Sequence, residues 1–302
     1  MFNKKLPCQR LLLGLLFSTG VGLFAYRRRS LSRSGVAGAM ATGSVTVGMG
    51  GWSWGLALIY FFVSSSLLSH FRSREKERTA ADKFSKGSQR DFLQVIANGG
   101  VATALSLAHG LTNSQSTGEL LQAGYTGALA TANGDTWATE LGVLNTRQPR
   151  LITTGKPVAP GTSGGITLLG TAASAVGGLS LGLVFWLLQG FRKAPVGAAS
   201  ARLLSLPVIG LLSGLLGSLA DSLMGATLQA IYYCPTCEKE TERRIHSCGT
   251  ATLPLRGIAW FDNDVVNFIA TLCGALIGIG SHLLLQCNKR TYRDEYSTTH
   301  HP

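Results

Sequence analysis

Charge is scarce in this 302-residue chain: 14% of its residues are Asp, Glu, Lys or Arg, where soluble domains carry about 25%. So poorly charged a surface cannot keep two globular domains of this length dissolved, which argues against a soluble enzyme. Acidic charge is the scarcer sign, with 15 Asp and Glu against 27 Lys and Arg and a net charge of +12. The apolar residues, 45% of the chain, are bunched into long uncharged runs rather than spread at helical or strand period. That excludes a disordered or a collagen-like chain. The basic excess sits in short clusters between the greasy runs, as loops anchored against anionic lipid do, so nucleic acid is not the expected partner.

What is present is a set of membrane spans. A hydrocarbon core of about 30 Å takes roughly 20 helical residues to cross. Seven or eight runs qualify, at residues 11–26, 35–50, 52–71, 92–110, 120–132, 165–191, 203–233 and 265–286. The fold class is therefore all-α, a polytopic membrane bundle. The second and fifth runs are short and rich in Gly, Ala, Ser and Thr, which suits close-packed interior helices rather than lipid-facing ones. The seventh is long enough to bend or break near Gly217. The first run follows Lys4 and Lys5 as a signal peptide would, yet Arg27, Arg28 and Arg29 come directly after it, as in an anchor. Residues 1–33 are read as an N-terminal anchor, 34–286 as the membrane domain with a Cys/His insert at 232–258, and 287–302 as a disordered tail. With eight spans, 18 basic residues fall on one side and 9 on the other. The positive-inside rule then predicts a multi-pass protein of the cell membrane with the 18-residue side in the cytoplasm, although Lys4, Lys5 and Arg10 run against it.

An ionised side chain near the bilayer centre costs at least about 2.5–3.5 kcal/mol, so acids in apolar runs point to function. Five of the 15 acids stand there: Asp135, Glu140, Asp221, Asp262 and Asp264. On a helix Asp135 and Glu140 lie about 140° apart and need not touch. They could instead cap helices or pair with Arg147 and Arg150. Asp221 sits deep in a run, suited to metal or phosphate work, with an arginine from another span as the bland alternative. Asp262 is placed as an N-cap, while Asp264 and Asn267, three apart, face one way and could share a cation.

Between these acids lies Gly161-Thr162-Ser163-Gly164-Gly165, preceded by Arg150 and Lys156. A glycine-rich turn entering a helix offers backbone N–H groups to an anion, so the stretch suits a polyphosphate. It lacks the Gly-Lys-Ser/Thr ending of a Walker loop, and a turn that merely lets helices approach is the other reading. Carboxylates converging on one cavity repel unless a cation lies among them, and Mg²⁺ takes one or two carboxylates plus substrate phosphates. Phosphoryl or nucleotidyl transfer at a membrane is the implied chemistry.

Four segments carry a family resemblance: Gly-Asp-Thr-Trp-Ala-Thr-Glu-Leu-Gly at 134–142, Pro-Arg-Leu-Ile-Thr-Thr at 149–154, Gly-Thr-Ser-Gly-Gly-Ile-Thr at 161–167 and Asp-Asn-Asp-Val-Val-Asn at 262–267. With Ser64, Ser65 and Ser66, and a stretch through Lys86, Gln89, Arg90, Gln94 and Asn98, they make the sequence resemble the transmembrane protein 19 family over about 34–286. One plant branch of that family is the phytyl-phosphate kinase of tocopherol synthesis. The motif order is also similar, more distantly, to dolichol kinase and CDP-diacylglycerol synthase, which use CTP. The resemblance implies that Asp135, Asp221 and Asp264 hold Mg²⁺, and that Arg150, Lys156, Gly161, Thr162, Ser163, Gly164 and Gly165 hold nucleotide phosphates. The chain differs from the plant branch in having no evident plastid transit segment and in carrying a cysteine insert.

In that insert Cys234, Cys237, His246 and Cys248 supply four soft ligands within fifteen residues, and a small polar loop would gain its fold from a tetrahedral metal. Zinc is the expected ion. A disulfide or redox pair, or plain free thiols, are the alternatives. Two functional classes stand side by side on these residues. The first is a CTP- or ATP-dependent kinase acting on an isoprenoid alcohol phosphate, with Asp135, Glu140, Asp221 and Asp264 as its catalytic acids and Mg²⁺ bound by Asp135, Asp221, Asp264 and Asn267. The second is an ion-coupled transporter or a lipid-handling protein in which buried acids bind a proton or sodium. A non-catalytic scaffold is the third.

Overall fold

The computed structural model describes residues 6–80, 89–190 and 205–299, so Lys86 and the basic cluster at 192–202 lie outside it. The apolar runs form helices: α1 Leu6–Arg27, α2 Arg33–Val45, α3 Trp52–His70, α5 Phe92–Leu111, α6 Gln115–Gly142, α7 Leu168–Gly190, α8 Ser205–Thr227 and α9 Asn263–Thr299. A short polar helix, α4 (Ser73–Ala80), joins α3 to α5. Among the described residues six helices, α1, α3, α5, α7, α8 and α9, are long and apolar enough to cross a membrane. Of the other two runs, α6 lies inside the bundle among them, whereas α2, which leads into a π turn at Thr46–Gly50, packs on α1 and α5 and keeps an exposed side. The fold is a helical polytopic membrane bundle, as the sequence predicts.

Capping fixes where several helices begin. Ser32 accepts from Gly35 N at 3.1 Å to start α2, and Asp91 and Gln94 form a reciprocal capping box on α5. Asp262 accepts from the N–H groups of Asp264 and Val265, the N-cap role expected of it.

The extents differ from the sequence reading in three places. α6 does not stop at 132 but runs to Gly142, so Asp135 and Glu140 ride on its last turns. Gly134 does not break it because that glycine is held between the Ser174 and Gly214 carbonyls. α8 neither bends nor breaks at Gly217, which instead makes room for the Thr131 side chain, and the run expected to reach 233 leaves the helix after Thr227 and becomes a strand. α9 continues to Thr299, so the segment expected to be a disordered tail is helical as far as that residue.

Five short strands join the helices. β1 (Arg150–Leu151) pairs antiparallel with β2 (Gly165–Ile166), closing the loop before α7. β3 (Ile231–Cys234) is the middle strand of an antiparallel sheet with β4 (Lys239–Thr241) and β5 (Leu253–Arg256), which is the Cys/His insert.

α6 is the axis of the bundle, with α3, α5, α7, α8 and α9 all against it. Its residues from Ala123 to Gly134 are buried without interruption, which explains their small size. Polar groups within that axis are satisfied across helices: Asn133 donates to Gly177 O at 2.8 Å and accepts from Ser64 Oγ at 2.8 Å, and Thr131 donates to Ser213 O at 2.8 Å. An aromatic cluster seals one end, where Tyr125 stacks on Trp54 at 4.3 Å and donates to the Trp54 carbonyl at 2.6 Å.

A Cβ on Gly134 would stand 2.7 Å from Ser174 O and 3.0 Å from Gly214 O, inside the range where backbone must move. Gly134→Ala is expected to lower stability by about 1–3 kcal/mol, the scale of overpacking, read as a lower thermal melting temperature in detergent. An unchanged melting temperature would show that the seam between α6, α7 and α8 is looser than described.

The segments 28–32, 71–80, 89–91, 143–167 and 228–262 gather at one end of the bundle. Ser32 N donates to Arg90 O and Arg90 N to Ser30 O, both at 3.0 Å; Lys76 reaches Glu140; Ser163 reaches Gln229. These are the loops that eight crossings place on the strongly basic side.

Candidate functional site

A polar cavity of about 300 Å³ opens at this loop-rich end. α6 and α8 contribute its two buried-side acids, Asp135 and Asp221. Asp135 accepts from the Ser218 hydroxyl at 3.0 Å. Asp221, one turn along α8 from Ser218, has an Oδ2 that is buried and makes no hydrogen bond. Leaving a carboxylate oxygen unsatisfied is costly, so such an atom at the wall of a polar cavity is suited to take a cation or a donor.

Glu140 also faces the cavity but is committed elsewhere. It accepts from Ser69 Oγ at 2.6 Å and pairs with Lys76 at 2.6 Å, tying α4 and the end of α3 to α6. Neither Arg147 nor Arg150 is its partner. The 140° of helix between the two acids thus sends Asp135 toward α8 and Glu140 toward α3, as expected of residues that need not meet.

The glycine-rich loop forms another part of the wall, with Gly161, Thr162, Ser163, Gly164 and Gly165 all lining the cavity. Gly164 has φ +81° and its missing Cβ would lie 2.7 Å from the Ala226 backbone, so only glycine fits. The loop is held from outside by Arg256 on β5. Its guanidinium donates to the Gly225 and Ala226 carbonyls at 2.8 Å and to Ser163 O at 3.2 Å, occupying the open carbonyls at the C-terminus of α8. Ser163 Oγ donates to the Gln229 side chain, and Gln229 Nε2 donates to Glu242 at 2.8 Å.

Other residues singled out in the sequence fall differently. Arg150 in β1 and Lys156 on the β1–β2 connection are exposed and do not line the cavity; Arg150 donates to Gly155 O at 2.8 Å. On α9 the phase set by the Asp262 cap turns Asn263 and Asn267 to the cavity and leaves Asp264 off its wall. The cation in the wall is Arg90, and Gln94 and Asn98 follow it on α5. Gln94 and Asn98, four apart among the apolar residues of the first turns of α5, are the periodic signal that marks this face in the sequence.

The Cys/His insert forms a second centre. One ligand atom from each of Cys234, Cys237, His246 and Cys248 lies within 4.8 Å of all the others, an arrangement able to hold a metal ion. Cys234 and Cys248 Sγ are 3.7 Å apart, and His246 Nδ1 is 3.2 Å from Cys248 Sγ. These sulfurs are far beyond the roughly 2.05 Å of a disulfide, whereas two thiolates each about 2.3 Å from a tetrahedral ion stand about 3.7 Å apart. The residue after the second ligand of each pair is left-handed, Glu238 at φ 52° and Gly249 at φ 86°, which curls both turns around one point. Hydrogen bonding with Thr250 and then with His246 pulls the Cys248 thiol down to about 6, while the bond to Cys248 and then burial push Cys237 up to about 11. One thiolate is thus already favoured at neutral pH, as a metal ligand requires.

The sequence profile of the family described as integral membrane protein DUF92 matches residues 16–275. The chain belongs to this family. It is the family whose motifs the sequence resembles, and membership makes the chain an integral multi-pass membrane protein. Protein PGR of Arabidopsis thaliana is 34% identical over 278 residues, covering 88% of this chain and 94% of its own length. A membrane protein of Methanocaldococcus jannaschii is 29% identical over 270 residues, covering 89% of this chain and 93% of its own length. The chloroplastic protein VTE6 of Arabidopsis thaliana is 26% identical over 252 residues, covering 82% of this chain and 64% of its own. No solved structure matches.

Proposed function

We propose that the chain is a membrane-embedded phosphotransferase that moves the terminal phosphoryl group of CTP or ATP to an isoprenoid alcohol phosphate. The observation that carries this reading is the unsatisfied Asp221 oxygen beside Asp135 in a cavity that a glycine-rich loop also lines. The kinase branch within the family resemblance points the same way. Asp135, Asp221 and Asn267 offer the hard oxygens that Mg²⁺ prefers, with Asp264 at the start of the same helix as Asn267. Bound there, the ion would neutralise charge on the phosphates and align them.

The remaining work falls to the chain. Gly161 to Gly165 bring backbone close to the polyphosphate, with the Thr162 and Ser163 hydroxyls beside it. Arg150 and Lys156 add positive charge at the rim of that loop. Arg90 offsets the charge of the acceptor phosphate, and Glu140 fixes α4 to the end of α6 through Lys76. An oxygen of the lipid phosphate forms a bond to the terminal phosphorus as the bond to the bridging oxygen breaks, releasing nucleoside diphosphate. No covalent enzyme intermediate is needed, and positioning plus charge supplies the rate.

The Cys/His set is read as a structural zinc site, because three thiolates and an imidazole form the closed soft shell that zinc takes. The end carrying the cavity and this site is placed in the cytoplasm of a cell-membrane protein, where the basic excess lies and thiols stay reduced.

Purified protein incubated with terminally labelled CTP or ATP and a set of prenyl monophosphates is expected to yield labelled lipid diphosphate only when Mg²⁺ is present. No labelled lipid with either nucleotide would refute the reading.

A further inference from the structure

A second cavity, of about 70 Å³, lies between α1, α2, α3 and α5 and meets the polar one at Arg90, Gln94 and Asn98, which line both. Away from that junction its wall is apolar, with Phe17 and Val21 on α1, Val47 at the π turn, and Leu58 and Phe62 on α3. One water needs about 10–15 Å³ on this scale, so the slot takes roughly five carbon-sized groups, the size of one isoprene unit. A glycerolipid, with two chains on a bulky backbone, does not fit.

Arg90 is built into the junction. Its backbone is fixed on both sides by Ser30 and Ser32, and its guanidinium lies 5.7 Å from the ring centres of Phe61 and of Phe62. No carboxylate among the described residues is within ion-pair distance of it. The charge of Glu140 reaches it without a direct ion pair, so its N–H donors stay available. A guanidinium so placed and backed by aromatic faces is suited to a phosphate, which it can grip with two parallel N–H donors.

We propose that the slot seats the phosphate-proximal isoprene unit of a prenyl monophosphate, with Arg90 gripping the phosphate where the slot opens into the polar cavity. The rest of the chain then lies outside the slot, among the bilayer lipids. This rests on the polar cavity being the place of phosphoryl transfer, and it adds where the acceptor enters and which part of its tail is read.

Gly99 gives a clean test. It lines the slot, and a Cβ placed on it meets nothing nearer than Leu58 and Thr42 at 3.9 Å, so a larger side chain fills the space without straining α5. The full chain in detergent, without nucleotide, is titrated with farnesyl monophosphate, dodecyl phosphate and inorganic phosphate. Gly99→Leu is expected to weaken farnesyl monophosphate binding at least about tenfold, the scale of a lost apolar pocket contact, and to leave inorganic phosphate binding unchanged. Arg90→Gln is expected to weaken both. Val21→Phe fills the slot from the facing helix should leucine at 99 unfold the chain. Gly20→Leu, where a Cβ meets nothing within 4 Å, is the control and is expected to bind as wild type does. Unchanged farnesyl monophosphate affinity in Gly99→Leu, or dodecyl phosphate bound as tightly by wild type, overturns the proposal. Binding of this kind without any label transfer refutes the phosphotransferase and leaves the slot standing. Label transfer with Gly99→Leu binding intact does the reverse.

Discussion

Asp221→Asn is expected to lower phosphoryl transfer by at least about 10²–10³ in kcat, the scale on which a placed electrostatic group acts. The substitution keeps the shape of the side chain and removes only the charge, and its unsatisfied Oδ2 shows no structural bond that would be lost with it. Folding is therefore not expected to suffer. Removing one of two acids from a shared cavity relieves repulsion, so the melting temperature in detergent should hold or rise while activity falls. Asp135→Asn is expected to behave similarly, keeping an acceptor for Ser218. Glu140→Gln supplies the contrast: this acid already holds Lys76 and Ser69, and its loss should loosen α4, with a smaller fall in rate and a real fall in stability. The measurement is label transfer and thermal melting on the same three preparations. A fully active Asp221→Asn protein would remove the catalytic role from the cavity and return the acids to ion coupling or structure.

The second large effect concerns the insert. Elemental analysis of the purified chain is expected to give one zinc per molecule, and Cys237→Ser or Cys248→Ser to lose it. Structural zinc contributes about 10–16 kcal/mol to small domains that depend on it, so the strands around it are not expected to survive removal of a ligand. The consequence should reach the cavity. Arg256 on β5 and Glu242 just after β4 are the groups that hold Ser163 and Gln229, and through them the glycine-rich loop. Loss of zinc should therefore open new protease cuts within 232–258 and weaken nucleotide binding as well, although none of Cys234, Cys237, His246 and Cys248 lines the cavity. Cysteine variants that keep nucleotide affinity would separate the two sites. Zinc-free protein with an intact, protease-resistant insert would dispose of the metal.

Sequence carried the helices well because each is a long apolar run, and it carried the interior position of α6 because Gly, Ala and Thr make poor lipid-facing surface. The ends of elements were harder. Nothing local tells that α6 persists past Ala132; what holds Gly134 in the helix is the backbone of α7 and α8. The strands β3 to β5 are three or four residues long, too short for a period, and only the spacing of Cys234, Cys237, His246 and Cys248 announced the insert. Within the cavity, acids in grease were easy to notice, whereas Asn263 was overlooked because its place depends on the helical phase that Asp262 sets. Arg256 was one cation in a charge tally. Its role exists only in three dimensions, where the end of α8 meets a strand.

The glycine seams along α6, α7 and α8 have a mechanical side. Gly134, Gly178 and Gly214 bring main chain against main chain, with no side chains between to rotate or yield. That half of the molecule behaves as an anvil. Whatever breathing a bulky acceptor demands on its way in must come from α1, α2 and α3, so cross-links among those three should arrest turnover while cross-links within the anvil pass unnoticed.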